Sequence, residues 1–432
     1  MSDYQLPEGY KQTEIGVIPE DWDVKEFGNL GKFKNGINKS SEDFGYGSPF
    51  VNLMDVFGIS FIEDNTHLGL VNSNEIEKKV YDLRKGDVLF IRSSVKPSGV
   101  GLTTVINCDL ADTVYSGFLI RFRDSGCLEK DFKKYCFSEE KLRQRVIANS
   151  TVSANTNINQ DNLKKIPIAY PKSIKEQHAI AATLSDVDAL IAALDKLIAK
   201  QRHLKIATMQ QLLTGKKRLL GFGESKGYKQ TEVGLIPEDW EFVTLSEITE
   251  IATVQTPSTT NSKYYGDEFL FVSPADLGSE KYIKTTSKRL SSLGFSVSRK
   301  YPSFSVLFTC IGSTIGKCGI LLSEGTSNQQ INAVFPTESI DNEYLYYQLV
   351  KVAPKIKFNA SEQAVPIVNK TEFGASLIPI CKFEEQHAIA TVLSDMDAAI
   401  SALETRRAKT QAIKQGMMQE LLTGKTRLIN NE

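Results

Sequence analysis

The residues best suited to touching another molecule sit in uncharged polar loops. Residues 149–160 read NSTVSANTNINQ, residues 253–262 read TVQTPSTTNS, and SNQQIN stands at 327–332. Basic side chains gather near them: Lys281, Lys284, Lys288, Arg289, Arg299 and Lys300 with no acid between, and Arg92, Lys96, Arg121, Arg123, Lys141, Arg143 and Arg145 in the first half. Asn and Gln can pair bidentately with adenine, Arg and Lys with guanine, and Ser, Thr and Lys can hold phosphate. Such loops are ordinary surface turns more often than not, so alone they support DNA binding weakly.

Catalytic patterns are missing from the sequence. The six cysteines never form CxxC, and the four histidines form neither HExxH nor HxH. They read as reduced core thiols and as helix-packing or partner-facing imidazoles (His178, His387) rather than metal ligands. There is no GxxxxGK[ST] and no NPPY or DPPY tetrapeptide. The acid pairs Asp186/Asp188 and Asp395/Asp397 fall on amphipathic helices, where a solvated face explains them better than acid–base chemistry.

The elements that must position these loops are written twice. GYKQTEIGVIPEDW (9–22) returns as GYKQTEVGLIPEDW (227–240), EQHAIA (176–181) returns at 385–390, and LLTGKKRL (212–219) returns as LLTGKTRL (421–428). Between the repeats lie two inserts, about 23–172 and 241–381, that barely align. Neutral drift would have eroded the frame as well, so two inserts of different specificity are expected. The length of 432 residues suits two to four domains. A net charge of -1 excludes a globally basic binder and leaves local patches open. No apolar run approaches the ~18 residues of a membrane helix. The N-terminus lacks a leader pattern, so a soluble, cytoplasmic chain is expected.

Periodicity supplies the coarse structure. Ile180, Leu184, Val187, Ile191, Leu194 and Ile198 step in a heptad-like period, as do Ile389, Leu393, Met396, Ile400 and Leu403. Ser173 with Glu176 fits a capping box, and Gly215 and Gly424 fit helix ends. Each helix is acidic in its N-terminal half and basic in its C-terminal half. That pattern predicts an antiparallel pair with a pseudo-twofold repeat, holding the inserts at opposite ends. The inserts read as mixed α/β, with strands at 85–94, 166–171, 303–312 and 377–383 and helices at 131–148 and 342–358.

The repeated IPEDW, EQHAIA and LLTGK segments, with GDVLF (86–90), IGSTIGKCGI (311–320) and SNQQIN inside the inserts, resemble the specificity subunit of type I restriction-modification enzymes over essentially the whole chain. SSVKPSGVGL (93–102) departs from the IGSTIGKCGI form. The resemblance implies an α+β chain: two mixed α/β target-recognition domains (1–172 and 218–381, the latter with the repeated entry segment 227–240) separated by long helices (173–217, and 382–432 with a C-terminal tail) that form an antiparallel coiled coil. It implies a non-catalytic reader of bipartite duplex DNA that docks two methyltransferase subunits, joined by restriction subunits that translocate and cut DNA. No cofactor is expected in this chain; S-adenosylmethionine, ATP and Mg²⁺ belong to the partners. The implied contact surface is Lys34, Asn35, Lys39, Arg92, Ser94, Lys96, Asn155, Thr156 and Asn157 in the first insert. In the second it is Gln255, Thr256, Thr259, Lys263, Tyr264, Ser313, Thr314, Lys317, Asn328, Gln329 and Gln330. Two other readings fit the residues: the reader of a system whose methyltransferase and nuclease are fused, and a coiled-coil scaffold that reads no DNA.

Overall fold

The computed structural model describes residues 6–223, 227–232, 234–278, 280–360 and 366–428. It divides into two compact units, residues 1–195 with 406–432, and residues 196–405.

The core of the first unit is a five-stranded sheet. Its order is Gly31–Asn35, Leu119–Asp124, Val88–Ile91, Thr103–Ile106 and Phe61–Ile62. Val88–Ile91 is buried throughout, which is why VLFI reads as an unbroken apolar run rather than an alternation. Phe90 and Phe122 point from the sheet into a cluster with Phe27, Phe33 and Phe137, at centroid separations of 4.9–6.5 Å. Leu89 and Ile91 fill the opposite face with Val51, Ile106 and Leu119.

The second unit repeats this plan with different residues. Its sheet runs Ile251–Thr253, Ile331–Val334, Val306–Thr309, Cys318–Leu321 and Tyr282–Ile283. In both sheets the final pair is parallel and the others antiparallel. A smaller sheet accompanies each: Val114–Tyr115, Phe44–Val51 and Gly69–Val71 in the first, and Gly325–Ser327, Phe269–Val272, Lys288–Leu290 and Tyr265–Gly266 in the second. Two inserts that barely align are thus one fold, because burial is specified at matching strands by different apolar residues.

The long helices are Ile174–Leu212 and Phe383–Leu421, 39 residues each. Their halves pack antiparallel within each unit. In the first, Glu176 meets Arg427, Asp188 meets Lys414 (2.6 Å) and Asp195 meets Arg407. In the second, Glu385 meets Arg218, Asp397 meets Lys205 and Glu404 meets Arg202. Partner numbers fall as residue numbers rise, and the acidic halves lie on basic halves as the charge pattern predicts.

Three expectations need correction. Residues 131–148 are two helices, Lys130–Cys136 and Glu140–Ala148. Glu139 caps the second one, accepting from the N–H groups of Lys141 (2.9 Å) and Leu142 (2.7 Å), while Phe137 turns into the core. At the start of the first long helix Ser173 accepts from Glu176 N–H at 3.4 Å, but the Glu176 carboxylate faces Arg427 and Trp22 instead of closing a capping box. Asp188 and Asp397 are not on solvated faces. Each receives a tyrosine hydroxyl from the α/β domain of its own unit, Tyr135 at 2.8 Å and Tyr347 at 2.6 Å, as well as its lysine.

The repeated frame forms a joint in each unit. Trp22 is fully buried and its Nε1–H donates to Glu176 (3.3 Å); Arg427 binds Glu176 and Asp21 together. Trp240, Glu385, Arg218 and Asp239 reproduce the arrangement. Gln177 and Gln386 next in sequence are buried and fasten loops of their domains, Gln177 to Cys127 and Pro171 carbonyls and Gln386 to Ser339 and Cys381 carbonyls. Gly215 and Gly424 have φ +68° and +72°, and a Cβ on either would lie 2.5 Å from Pro237 or Pro19. Glycine at these helix ends is required by conformation and by space.

Candidate nucleic-acid interface

Both sheets end in a loop edge that carries much of the expected contact surface. In the first unit the central strand runs out at Arg92, whose N–H donates to Phe118 O (2.8 Å) and whose carbonyl accepts from Ile158 N–H (2.9 Å). The Arg92 guanidinium reaches Gly117 O at 3.4 Å. Ser93–Ser94 then pairs with Thr156–Asn157, which pairs with Thr151–Val152, a small three-stranded sheet at this end. Asn35 ends the outer strand, one strand removed from the central one, opposite Ile120. Arg92, Ser94, Asn35, Thr156 and Asn157 therefore converge at one end of the sheet.

Within that group the side chains differ in access. Lys96 and Asn155 are exposed, and Asn35, Arg92, Ser94 and Asn157 are half-buried, whereas Thr156 is buried. Lys34 lies 5.3 Å over the Tyr81 ring. Lys39 is engaged with Glu77 at 2.9 Å, both side chains mostly covered. Arg121 and Arg123, two of the basic residues marking this insert, are bound to Asp82 and Asp87 inside the domain.

In the second unit the same edge gathers three loops. Cys310 N–H donates to Gln330 O (2.7 Å), and Thr256 Oγ1 bonds the Gln329 amide. Asn328 and Gln330 hold each other through Nδ2–H to Oε1 at 2.9 Å. Ser313 and Thr314 lie in the loop after the central strand, with Ser313 O held by Lys357 (3.0 Å). Gln255, Thr256, Ser313, Thr314, Asn328, Gln329 and Gln330 are thus brought together. Lys317 immediately precedes the next strand, Cys318–Leu321, and donates to Pro274 O at 3.2 Å. Thr259, Lys263 and Tyr264 stand on a separate loop leading to the strand Tyr265–Gly266. Of the basic run at 281–300, Lys281 is committed to Glu343 (3.0 Å) and Ser394 (2.7 Å), and Arg299 to Glu250. Lys284, Lys288 and Lys300 are exposed.

The two edges match in register although their sequences do not. Gly101 N–H bonds Ile91 O, and Gly316 N–H bonds Thr309 O; both glycines have positive φ. Ile158 on Arg92 corresponds to Val368 on Cys310. SSVKPSGVGL is therefore the positional counterpart of the IGSTIGK segment, with a longer excursion between strand and glycine. The residues of the joint and the tyrosines on Asp188 and Asp397 were not expected as functional groups. Their signal is the repetition itself.

Burial pushes the thiols of Cys136, Cys310, Cys318 and Cys381 above their ordinary range, which fits inert core residues. Among the described residues no group of three or more His, Cys, Asp or Glu is arranged to hold a metal ion. No described helix is long and apolar enough to cross a membrane.

Two domains of one fold, each ending in a differently furnished polar edge, define a protein built for recognition. Residues 19–201 and 237–415 match the model of the type I restriction modification DNA specificity domain, and the chain belongs to that family. It is similar to a putative type I restriction enzyme specificity subunit (MjaX) of Methanocaldococcus jannaschii, 27% identical over 440 residues that cover 98% of this chain and 97% of the relative. Its fold matches the S subunit of the type I restriction-modification system from M. genitalium, with TM-score 0.56 and 14% identity over 96% of this chain and 97% of that one. A chain from a structural study of complex assembly and conformational transition of the type I R-M system matches with TM-score 0.61 and 15% identity, over 95% and 99% of the two chains.

Proposed function

We propose that this chain reads an asymmetric, two-part site in duplex DNA, one half per domain, and presents it to two methyltransferase subunits docked on its long helices. Residues 1–172 and 218–381 are the reading domains; 173–217 carry the first spacer helix, and 382–432 the second with a C-terminal tail. The observation that carries this reading is the matched sheet edge: one strand order, one register, and different side chains in the loops beyond it. Arg92, Ser94, Lys96, Asn155 and Asn157 on one edge, and Gln255, Ser313, Thr314, Gln329 and Gln330 on the other, supply the donors and acceptors that base edges and phosphates require. The methyltransferase partners bring S-adenosylmethionine to methylate adenine. Restriction subunits that use ATP and Mg²⁺ complete the assembly.

Methylome sequencing tests this directly. Deleting the gene should erase one bipartite adenine-methylated motif. Replacing residues 23–172 with the insert of another family member should change one half of that motif and leave the other half intact. An untouched methylome means a scaffold without DNA readout; a change in both halves ends the independent-domain reading.

A further inference from the structure

The two edges carry opposite chemistry at matched positions. The turn Leu53–Asp55, closed by Asn52 and Asp55, corresponds to the turn Pro274–Asp276, closed by Ser273 and Asp276. The flanking residues are buried in both: Val51 with Val272, Val56 with Leu277. Met54 and Phe57 therefore stand where the second unit has Ala275 and Gly278. The bonds from Arg92 N–H to Phe118 O and from Cys310 N–H to Gln330 O set Phe118 against Gln330.

At these matched positions the first edge exposes large apolar side chains where the second has Ala275, Gly278 and Gln330; the exposed apolar side chain among the described residues of the second edge, Ile367 at 43%, lies on a different loop. Met54 is 75% exposed, Phe57 50%, Phe118 57% and Val95 80%. Their loops are neighbours: a Cβ on Gly99, in the loop that carries Val95, would meet the Phe57 ring at 3.4 Å, and Ser116 N–H, two residues before Phe118, holds Val51 O just ahead of the Met54 turn. In the second unit the stem of Lys317 lies against Gly278 instead, where a Cβ would meet it at 3.2 Å. Single exposed apolar side chains are commonplace. Four of them grouped at one loop edge, with alanine, glycine and glutamine at the counterparts of three, are a chemical difference between two reading surfaces. The patch has a cationic rim, Arg92 and Lys96, and no acid occurs from 92 to 108; Asp55, the one acid of the Met54 turn, is engaged by Asn52 N–H at 2.7 Å, so the basic pair suits a polyanion.

We infer that the first domain reads its half-site through thymine methyl groups in the major groove, with Phe118 as the central contact, while the second reads through amide hydrogen bonds from Gln329 and Gln330. This rests on the DNA reading proposed above. The major groove presents the thymine C5-methyl as its apolar mark, and an aromatic or aliphatic side chain is the group that recognises it.

The test uses the chain assembled with its methyltransferase subunits and duplexes carrying the site that the methylome defines. Each thymine is replaced in turn by deoxyuridine, which removes only the methyl group. At one or more positions of the half-site that follows the 23–172 insert, the replacement should weaken binding roughly three- to tenfold. It should change binding less than about twofold in the other half. Phe118→Gln should bind thymine and deoxyuridine duplexes alike, and Met54→Ala, on a separate loop, should reduce the discrimination. Deoxyuridine without effect in the first half-site, or equal discrimination by Phe118→Gln and the native chain, overturns the inference while leaving the two-part reading intact. A Phe118→Gln chain that fails to hold methyltransferase subunits in the absence of DNA makes the patch a protein-docking face and also overturns it. Loss of the motif dependence itself would strike the DNA reading instead.

Discussion

Arg427 and Arg218 each answer two carboxylates, one exposed and one buried beside a tryptophan. The Glu176 and Glu385 side chains are each only 2% exposed. Removing the guanidinium leaves a carboxylate with no counter-charge in a dry site. Arg427→Ala should therefore cost about 3–5 kcal/mol of first-unit stability in a chemical denaturation experiment. Arg427→Lys should recover only part, because one ammonium cannot fork across Glu176 and Asp21. The outer carboxylates give a pH signature. Hydrogen bonds from Arg427 and Arg218 hold Asp21 and Asp239 below their usual 3.8. A depressed carboxyl contributes fully above its unfolded value and loses that contribution as pH falls through the lower folded one. Stability should thus fall below about pH 4, and Asp21→Asn with Asp239→Asn should flatten that limb of the curve, measured as denaturation midpoints between about pH 7 and pH 3. These residues were legible only as repeated letters: IPEDW, EQ and LLTGK showed that something was kept in duplicate. The three-dimensional meeting of Trp22, Glu176 and Arg427, distant in sequence, follows from the packing of the helix ends. Burial and ion pairing are set by tertiary neighbours, so the sequence could not separate Lys39 and Thr156 from Lys96 and Asn155 in the polar loops either.

The long helices carry the part of the fold that sequence expresses most fully. Their heptad-like seam and acid-to-base gradient predict an antiparallel pair, and the Asp188–Lys414 and Asp397–Lys205 bridges have that sense. What periodicity misses is the third partner. Lys134 and Tyr135 from the recognition domain share Asp188 with Lys414, so the helix pair and the domain are fastened at one carboxylate. A charge exchange should expose this. Asp188→Lys and Lys414→Asp should each destabilise the unit by about 1–3 kcal/mol. The double exchange should recover less than a simple ion pair would, because the lysine introduced at position 188 would face Lys134 and lose the Tyr135 bond. Full recovery in a double-mutant cycle would show that the helices interact without the domain. The break at 137–139 escaped the sequence for a related reason: Glu139 is a helix former by composition and a cap by position, and only the burial of Phe137 decides between them.

At the scale of the molecule, the duplication explains which segments repeat and which diverge. Each unit takes its tryptophan and glutamate from one copy and its glycine and arginine from the end of the other, so the first unit contains residues 1–195 and 406–432. The inserts need only keep a sheet order, which many apolar sequences satisfy. The frame must fit a partner segment from the other copy, and so it is held nearly letter for letter. Ending the chain after Thr405 should make this visible. That truncation removes Lys414, Gly424 and Arg427 from the first unit while leaving Trp240, Glu385, Arg218 and Gly215 of the second in place. Tyr10, whose hydroxyl donates to Gly424 O at 2.9 Å, loses its acceptor, and the Leu421 and Leu422 side chains leave the first core. Hydrogen exchange should then rise over residues 10–26 and 167–195. Residues 228–244 should keep most of their protection, since the acceptor of Tyr228 is Gly215 O, from within residues 196–405. Equal loss in both segments would mean that the two units share one cooperative transition, and that each joint depends on more of the chain than the residues it touches.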